Sequence, residues 1–201
     1  MRFWHRAFRR AEIPLAYSQG FTPHPRIAMA APLPVGVTSE AELMDIVLRI
    51  WMPPQSLLML ASKQLPPGFN ILDVQEIIMD APSLQSIVSH AEYRLTVRTE
   101  REKEEIANSI ASLLSAAKIP WQRVRETGTK NLDLRPLIET MRLVDCHAST
   151  CTLEMKLKCG AGGSGRAEEV ASALGLTGFP ESIHRTALFF GSGKGESFPA
   201  S

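Results

Sequence analysis

The sequence predicts an α+β protein of two ferredoxin-like αβ-plait halves with mainly antiparallel sheets, the first half lacking its N-terminal strand. Three observations carry this expectation. Over residues 2–79 segments of helical and extended character follow in the order helix, strand, strand, helix, strand, and one strand in front would complete a split βαβ unit. Residues 150–159 alternate strictly, Cys151, Leu153, Met155, Leu157 and Cys159 against Thr152, Glu154, Lys156 and Lys158, which marks a strand with one dry and one wet face, as in an antiparallel sheet. The composition, 44% hydrophobic and 21% charged over 201 residues, is that of a globular chain with room for one domain or two small ones.

Taken in order, residues 2–11 (RFWHRAFRRA) form a helix, with Phe3, Ala7 and Phe8 at helical spacing and arginines elsewhere; Pro14 ends it. No capping residue precedes Phe3, so further sequence is expected upstream of Met1. The turn-rich YSQGFTPHP segment, Tyr17 to Pro25, leads into strands over 26–33 and 41–51. Pro53-Pro54 opens a helix over 55–64, Pro66-Pro67-Gly68 stops it, and 70–79 reads as a further strand. Residues 81–90 are a linker or short helix, 92–98 a strand and 101–117 a helix with Ile106, Ile110, Leu113 and Leu114 on one face. Residues 121–125 and 131–135 pair as a hairpin about Gly128, and the segment after Pro136 starts a short helix or a strand. The strand over 150–159, the Gly160–Gly165 run, a helix over 166–174 and a strand over 183–190 complete the second half. The expected division is therefore 1–80, 81–190 and a flexible Gly- and Ser-rich tail over 191–201.

The formal net charge is +1, so attraction to nucleic acid has to come from local clustering. The first 26 residues supply it, with Arg2, Arg6, Arg9, Arg10 and Arg26 against a single acid, Glu12. Three cysteines are an odd count that argues against a disulfide framework and for a reducing cytoplasm. No apolar run reaches the roughly 18 residues of a membrane span, and the arginine-bearing N-terminus is not followed by a secretory apolar core. No metal site and no cofactor are expected: there is no C-x-x-C pair, and Cys151 and Cys159 stand about 26 Å apart on one straight strand at ~3.3 Å per residue. All three cysteines read as small buried hydrophobes. The glycine run lacks the G-K-[ST] ending of a phosphate loop and is only a loose match to a dinucleotide fingerprint. No Ser-His-acid signature is present, and the one candidate acid or base is His24, held between Pro23 and Pro25, with Asp133 or Glu40 as its carboxylate partner.

The basic segment is the stronger lead. Arg6, Arg9, Arg10 and Arg26 suit phosphate contacts, Tyr17 and Phe21 suit stacking on unpaired bases, and the Gly20 turn lets the backbone approach a ligand, with Ser18 among the candidate binding residues. A second basic cluster falls on the later hairpin: Arg123, Arg125, Lys130 and Arg135, with Asp133 among them. With no recognition-helix motif, these surfaces fit single-stranded or structured RNA better than duplex DNA.

The stretch RRAEIPLAYSQGFTPHPRI followed by PLPVGVTSEAE, then NLDLRPLI at 131–138, the glycine turn with Arg166, and His184-Arg185-Thr186, resembles the radical-SAM-linked proteins, a domain family of unknown function. The resemblance runs to about residue 190. It implies association with a radical SAM protein and adds Arg185 to the candidate binding residues, beside Arg166, which with the backbone N–H groups of the glycine run is a candidate anion contact in its own right. Similar proteins carry a strand and a Ser-His-Leu-Asp segment before the basic helix, which this chain lacks. The chain has no C-x-x-x-C-x-x-C, so the resemblance implies no radical SAM cluster in it. The resulting expectation is a non-catalytic accessory module that binds tRNA or rRNA for a partner enzyme. The alternatives are a protein–protein adaptor that docks a radical SAM partner and an enzyme using His24.

Overall fold

The structure is a computed structural model that describes residues 1–125, 128–160, 162–176, 180–191 and 197–198. The chain divides into two compact units, residues 1–29 with 44–84, and residues 30–43 with 85–201. The sequence assigns 30–43 to the first half; in the fold this segment belongs to the second unit, so the chain passes between units three times.

In the first unit α1 (Arg2–Arg10) buries Ala7 and Phe8 and leaves its arginines exposed. The helix ends in a Schellman turn: Glu12 takes φ 56°, its N–H donates to the Arg9 carbonyl, and the Ile13 N–H donates to the Phe8 carbonyl. Phe8, Ala11, Ile13, Leu15, Leu57 and Ala61 form the core, with Trp4 stacked on Phe8 at 5.6 Å between centroids. The strands β1 (Ile27–Met29) and β3 (Met44–Ile46) pair antiparallel, and hydrogen bonds from Ala16 N–H to Val47 O and from Val47 N–H to Arg26 O extend the pairing. The helix α2 (Pro54–Ser62) starts at the second of two prolines, as expected. The strand expected over 70–79 does not form. Ile71 and Val74 are the residues that reach the core, a spacing of three rather than two, while Leu72, Ile77, Ile78 and Met79 face solvent.

The second unit contains β2 (Thr38–Ser39), a short α3 (Leu84–Ile87) at its entry, β4 (Val88–Arg98), α4 (Lys103–Ser115), and the hairpin β5 (Pro120–Arg125) and β6 (Gly128–Asp133). A 3-10 turn (Arg135–Leu137) leads to β7 (Ile138–His147), β8 (Thr150–Lys158), α5 (Ala167–Ala173), β9 (Ser182–Phe190) and β10 (Ser197–Phe198). Its main sheet has the order β10-β9-β4-β8-β7, all antiparallel. Taken alone, β4-α4-β7-β8-α5-β9 is the βαββαβ chain of a ferredoxin-like plait, with the β5–β6 hairpin inserted between α4 and β7. The dry face of β4 and β8 (Tyr93, Leu95, Val97, Leu153, Met155, Leu157) is buried, as are Ile106, Ile110 and Leu113 of α4 and Val170 and Leu174 at α5. Strand β2 runs parallel beside β9 at His184 and Arg185, and β10 pairs with Phe189 and Leu188. The flexible tail expected over 191–201 lies mainly outside the described residues, and Ser197–Phe198 is a strand.

Two of the cysteines differ from expectation. The tight β7–β8 turn sets Cys146 opposite Cys151, with 4.1 Å between Cα atoms, and the two form a disulfide; Cys159 is a buried free thiol. The alternation of β8 showed its own faces but not which residue stood opposite each. Among the described residues no helix is long and apolar enough to cross a membrane, and no group of three or more His, Cys, Asp or Glu is placed to hold a metal ion.

On the wet face, Glu154 of β8 lies in register between Arg94 of β4 and Arg142 of β7 and accepts from both, at 2.8 Å from Arg94 Nη2. The two Arg94 hydrogen bonds, with the one from Arg142, hold its carboxyl below the ordinary glutamate range. A depressed carboxylate pKa contributes stability above the unfolded-state value and loses it as pH falls through the folded value. Urea denaturation at a series of pH values should therefore show a shallower acid-side loss of stability for Glu154→Gln than for the unaltered chain.

Candidate nucleic-acid interface

The arginines of α1 sit where helical spacing puts them. Arg2, Arg6, Arg9 and Arg10 are exposed, and Arg6 and Arg10, one turn apart, line an open groove of about 480 Å³. Across it lie Lys63, Leu65 and Pro66, from the chain just after α2, and Phe3 contributes an aromatic wall. Arg10 is held by its Nη2 hydrogen bond to the Gln64 carbonyl, 3.0 Å. The groove thus gathers three cations beside a ring. The sequence reading missed Lys63, whose only signal is being a lone cation between a helix and two prolines.

The YSQGFTPHP segment is a hairpin-like loop in the same unit. Tyr17 bridges Pro25, Ser18 N–H donates to the His24 carbonyl (2.9 Å), and the His24 N–H donates to Ser18 Oγ (3.0 Å). Gly20, at φ 131°, lies in the region that disfavours a side chain, so the turn depends on it. Beyond it Phe21 is fully exposed and Tyr17 half-exposed. Arg26 is exposed, with its backbone in the β pairing. The His24 ring makes no hydrogen bond or ion pair among the described residues. Neither carboxylate expected to assist it is available: Glu40 pairs with His184 at 3.7 Å, and Asp133 is spent on backbone.

The second basic cluster does not form a surface of four cations. Lys130 is exposed on β6, and the Arg125 side chain lies outside the described part. Arg123 is buried, with Nε and Nη2 each 2.6 Å from a Glu169 oxygen and Nη2 3.0 Å from the Ser164 carbonyl. Arg135 turns inward to the carbonyls of Leu114 and Ile138, both at 2.9 Å. Asp133 accepts the Ile119 and Arg135 backbone N–H groups, which hold its pKa below the ordinary aspartate value, and among the described residues it makes no ion pair with an arginine side chain. These groups brace the hairpin insertion instead of presenting it.

Arg166 and Arg185 line a second cavity, of about 380 Å³, within the second unit. Arg166 is exposed. Arg185 is 1% exposed and therefore removed from any surface role: its guanidinium donates to Glu42 Oε1 (2.8 Å), the Ala31 carbonyl (3.0 Å) and the Tyr93 hydroxyl oxygen (3.2 Å). Glu42 and Tyr93 are 143 and 92 positions away, beyond the reach of any spacing rule.

An α+β protein with a plait in its second unit and an arginine-lined groove in its first is thus defined. The chain belongs to the DUF2344 family, uncharacterised proteins conserved in bacteria, whose model matches residues 1–167. That description makes no link to radical SAM proteins. No curated protein matches the sequence. Among solved structures, a chain of a Cbf5-Nop10-Gar1 complex aligns at TM-score 0.41 and 10% identity, over 52% of this chain and 32% of that chain.

A buried pair broken on one side leaves an uncompensated charge, which costs about 3–5 kcal/mol. Arg123→Ala should lose about that much stability in urea denaturation. A double Arg123→Met/Glu169→Leu variant should recover most of it, the sum of the two single changes greatly exceeding the double.

Proposed function

We propose that this chain is a non-catalytic accessory module that binds RNA, in the tRNA or rRNA class, for a partner enzyme. The observation that carries the reading is the groove of Arg6, Arg10 and Lys63 beside Phe3, three cations without a carboxylate in its lining. Cations so grouped bind a phosphate backbone by releasing its counterions, independently of sequence. The loop adds exposed Tyr17 and Phe21, which supply stacking faces for unpaired bases, and Arg26 supplies a further phosphate contact. By the sequence resemblance the partner enzyme is a radical SAM protein.

A second reading, a protein–protein adaptor, is favoured by a different observation in the same unit: Trp51, Leu72, Ile78 and Met79 are each more than two-thirds exposed. Exposed large apolar side chains that share one contiguous patch mark interaction surfaces.

Fluorescence anisotropy with labelled bulk tRNA separates the two. The RNA reading expects binding that weakens steeply with salt. An Arg6→Ala/Arg10→Ala variant should bind at least about tenfold more weakly, with a salt slope shallower by about two. Absence of salt-dependent binding, with capture of a partner protein that survives nuclease and high salt, would select the adaptor.

A further inference from the structure

The cavity of the second unit is built by two buried arginines that each spend their charge on its walls. Arg185 fixes the Ala31 carbonyl, while Arg123 fixes the Ser164 carbonyl and thereby the glycine loop. Both ends of that loop are close-packed: a Cβ on Gly160 would lie 2.6 Å from the Val88 carbonyl oxygen, and one on Gly165 would lie 3.1 Å from Leu157 Cβ. The walls are thus set before any ligand arrives.

The lining is mostly apolar, from Ala30, Ala31, Pro32, Pro34, Val37 and Ile183. Its polar groups divide into two kinds. Arg123 is neutralised by Glu169 and Arg185 by Glu42, so neither carries free charge. Arg166 and Glu168, by contrast, line the cavity with side chains that make no hydrogen bond or ion pair among the described residues. Tyr93 accepts from Arg185 Nη2, leaving its own O–H to donate, and burial raises its pKa so that the proton stays in place. Arg185, almost wholly buried, keeps its Nε hydrogen without a partner.

One free cation and one free anion on an apolar cavity decide the ligand chemistry. A simple anion would meet Glu168, and a simple cation would meet Arg166. A molecule carrying both charges on an apolar body satisfies each wall. We propose that this cavity binds an α-amino acid with an aliphatic side chain: carboxylate on the Arg166 guanidinium, ammonium on the Glu168 carboxylate, and side chain against Pro32, Val37 and Ile183. Arginine suits a carboxylate through its forked donors, and an apolar pocket with a few placed polar groups is the usual form of a small-molecule site. The proposal is independent of the RNA reading, since every lining residue belongs to the second unit.

The test is a ¹⁵N–¹H correlation titration of the full chain with L-leucine, isovalerate and isopentylamine. L-leucine should shift the amides of Gly162–Arg166 and Ile183 saturably. Isopentylamine, which lacks the carboxylate, and isovalerate, which lacks the ammonium and is one carbon shorter, should each bind at least about tenfold more weakly, mainly for want of one charge-assisted contact. Arg166→Gln and Glu168→Gln should each weaken L-leucine by a similar factor while keeping a dispersed spectrum. No saturable shift with L-leucine, shifts confined to the first unit, isovalerate or isopentylamine binding as tightly as L-leucine, or well-folded variants that keep full affinity would each overturn the proposal. If either variant loses its dispersion, the three-ligand comparison on the unaltered chain decides alone.

Discussion

A fully buried guanidinium governs the second unit. Taking Arg185 out of water costs several kcal/mol unless its charge and its N–H groups are met. Glu42 meets the charge and takes one hydrogen, and the Tyr93 hydroxyl and the Ala31 carbonyl take one each. The first and last of these partners sit on the 30–43 segment, which has little regular structure of its own. The segment is therefore held by the demand of a buried cation, together with two residue pairs of parallel strand beside β9 and the contacts of Thr38 and Glu40 with His184. The same demand shapes the cavity, because the carbonyls that satisfy the arginine are those of its wall.

Arg123 repeats the arrangement on the other side. A hairpin inserted into a plait has no strand of the main sheet to pair with, and β5–β6 pairs only with itself. Its attachment runs through the Arg123–Glu169 fork and through Arg135, which caps the Leu114 carbonyl at the end of α4. Cations that look like a nucleic-acid surface in the sequence thus become tie-bars in the fold. The arginines of α1 differ because their helix buries only Ala7 and Phe8 and leaves them exposed, with the Arg10 bond to the Gln64 carbonyl as their one tie among the described residues.

How far the sequence could be read follows from the range of each signal. Strand β8 and helix α4 were legible because their own residues repeat at the right period. Strand β7 was ambiguous: it buries Ile138 and Met141, three apart, because register shifts at Ile138/Thr140 and Leu143/Asp145 break the period of two. The 70–79 segment failed in the opposite sense, being rich in strand formers yet anchored at Ile71 and Val74. The disulfide and the buried arginine pairs were out of reach, because each depends on what stands opposite a residue. In the candidate interface the helix arginines and loop aromatics could be placed from local pattern alone, whereas Lys63 needed the fold to bring it across the groove.

The pairing of Thr38 with His184, 146 positions apart, has a consequence for how the chain is made. A ribosome releases residues 30–43 long before β9 exists, so the segment waits with Glu42 unmatched while more than a hundred residues are added. The second unit closes only when Arg185 emerges, and closing so long a loop is among the slower events in folding. Until then Ala30–Leu43 is a segment with two prolines and little regular structure, without its β9 neighbour. Over that interval its apolar residues are open to contacts other than the native ones.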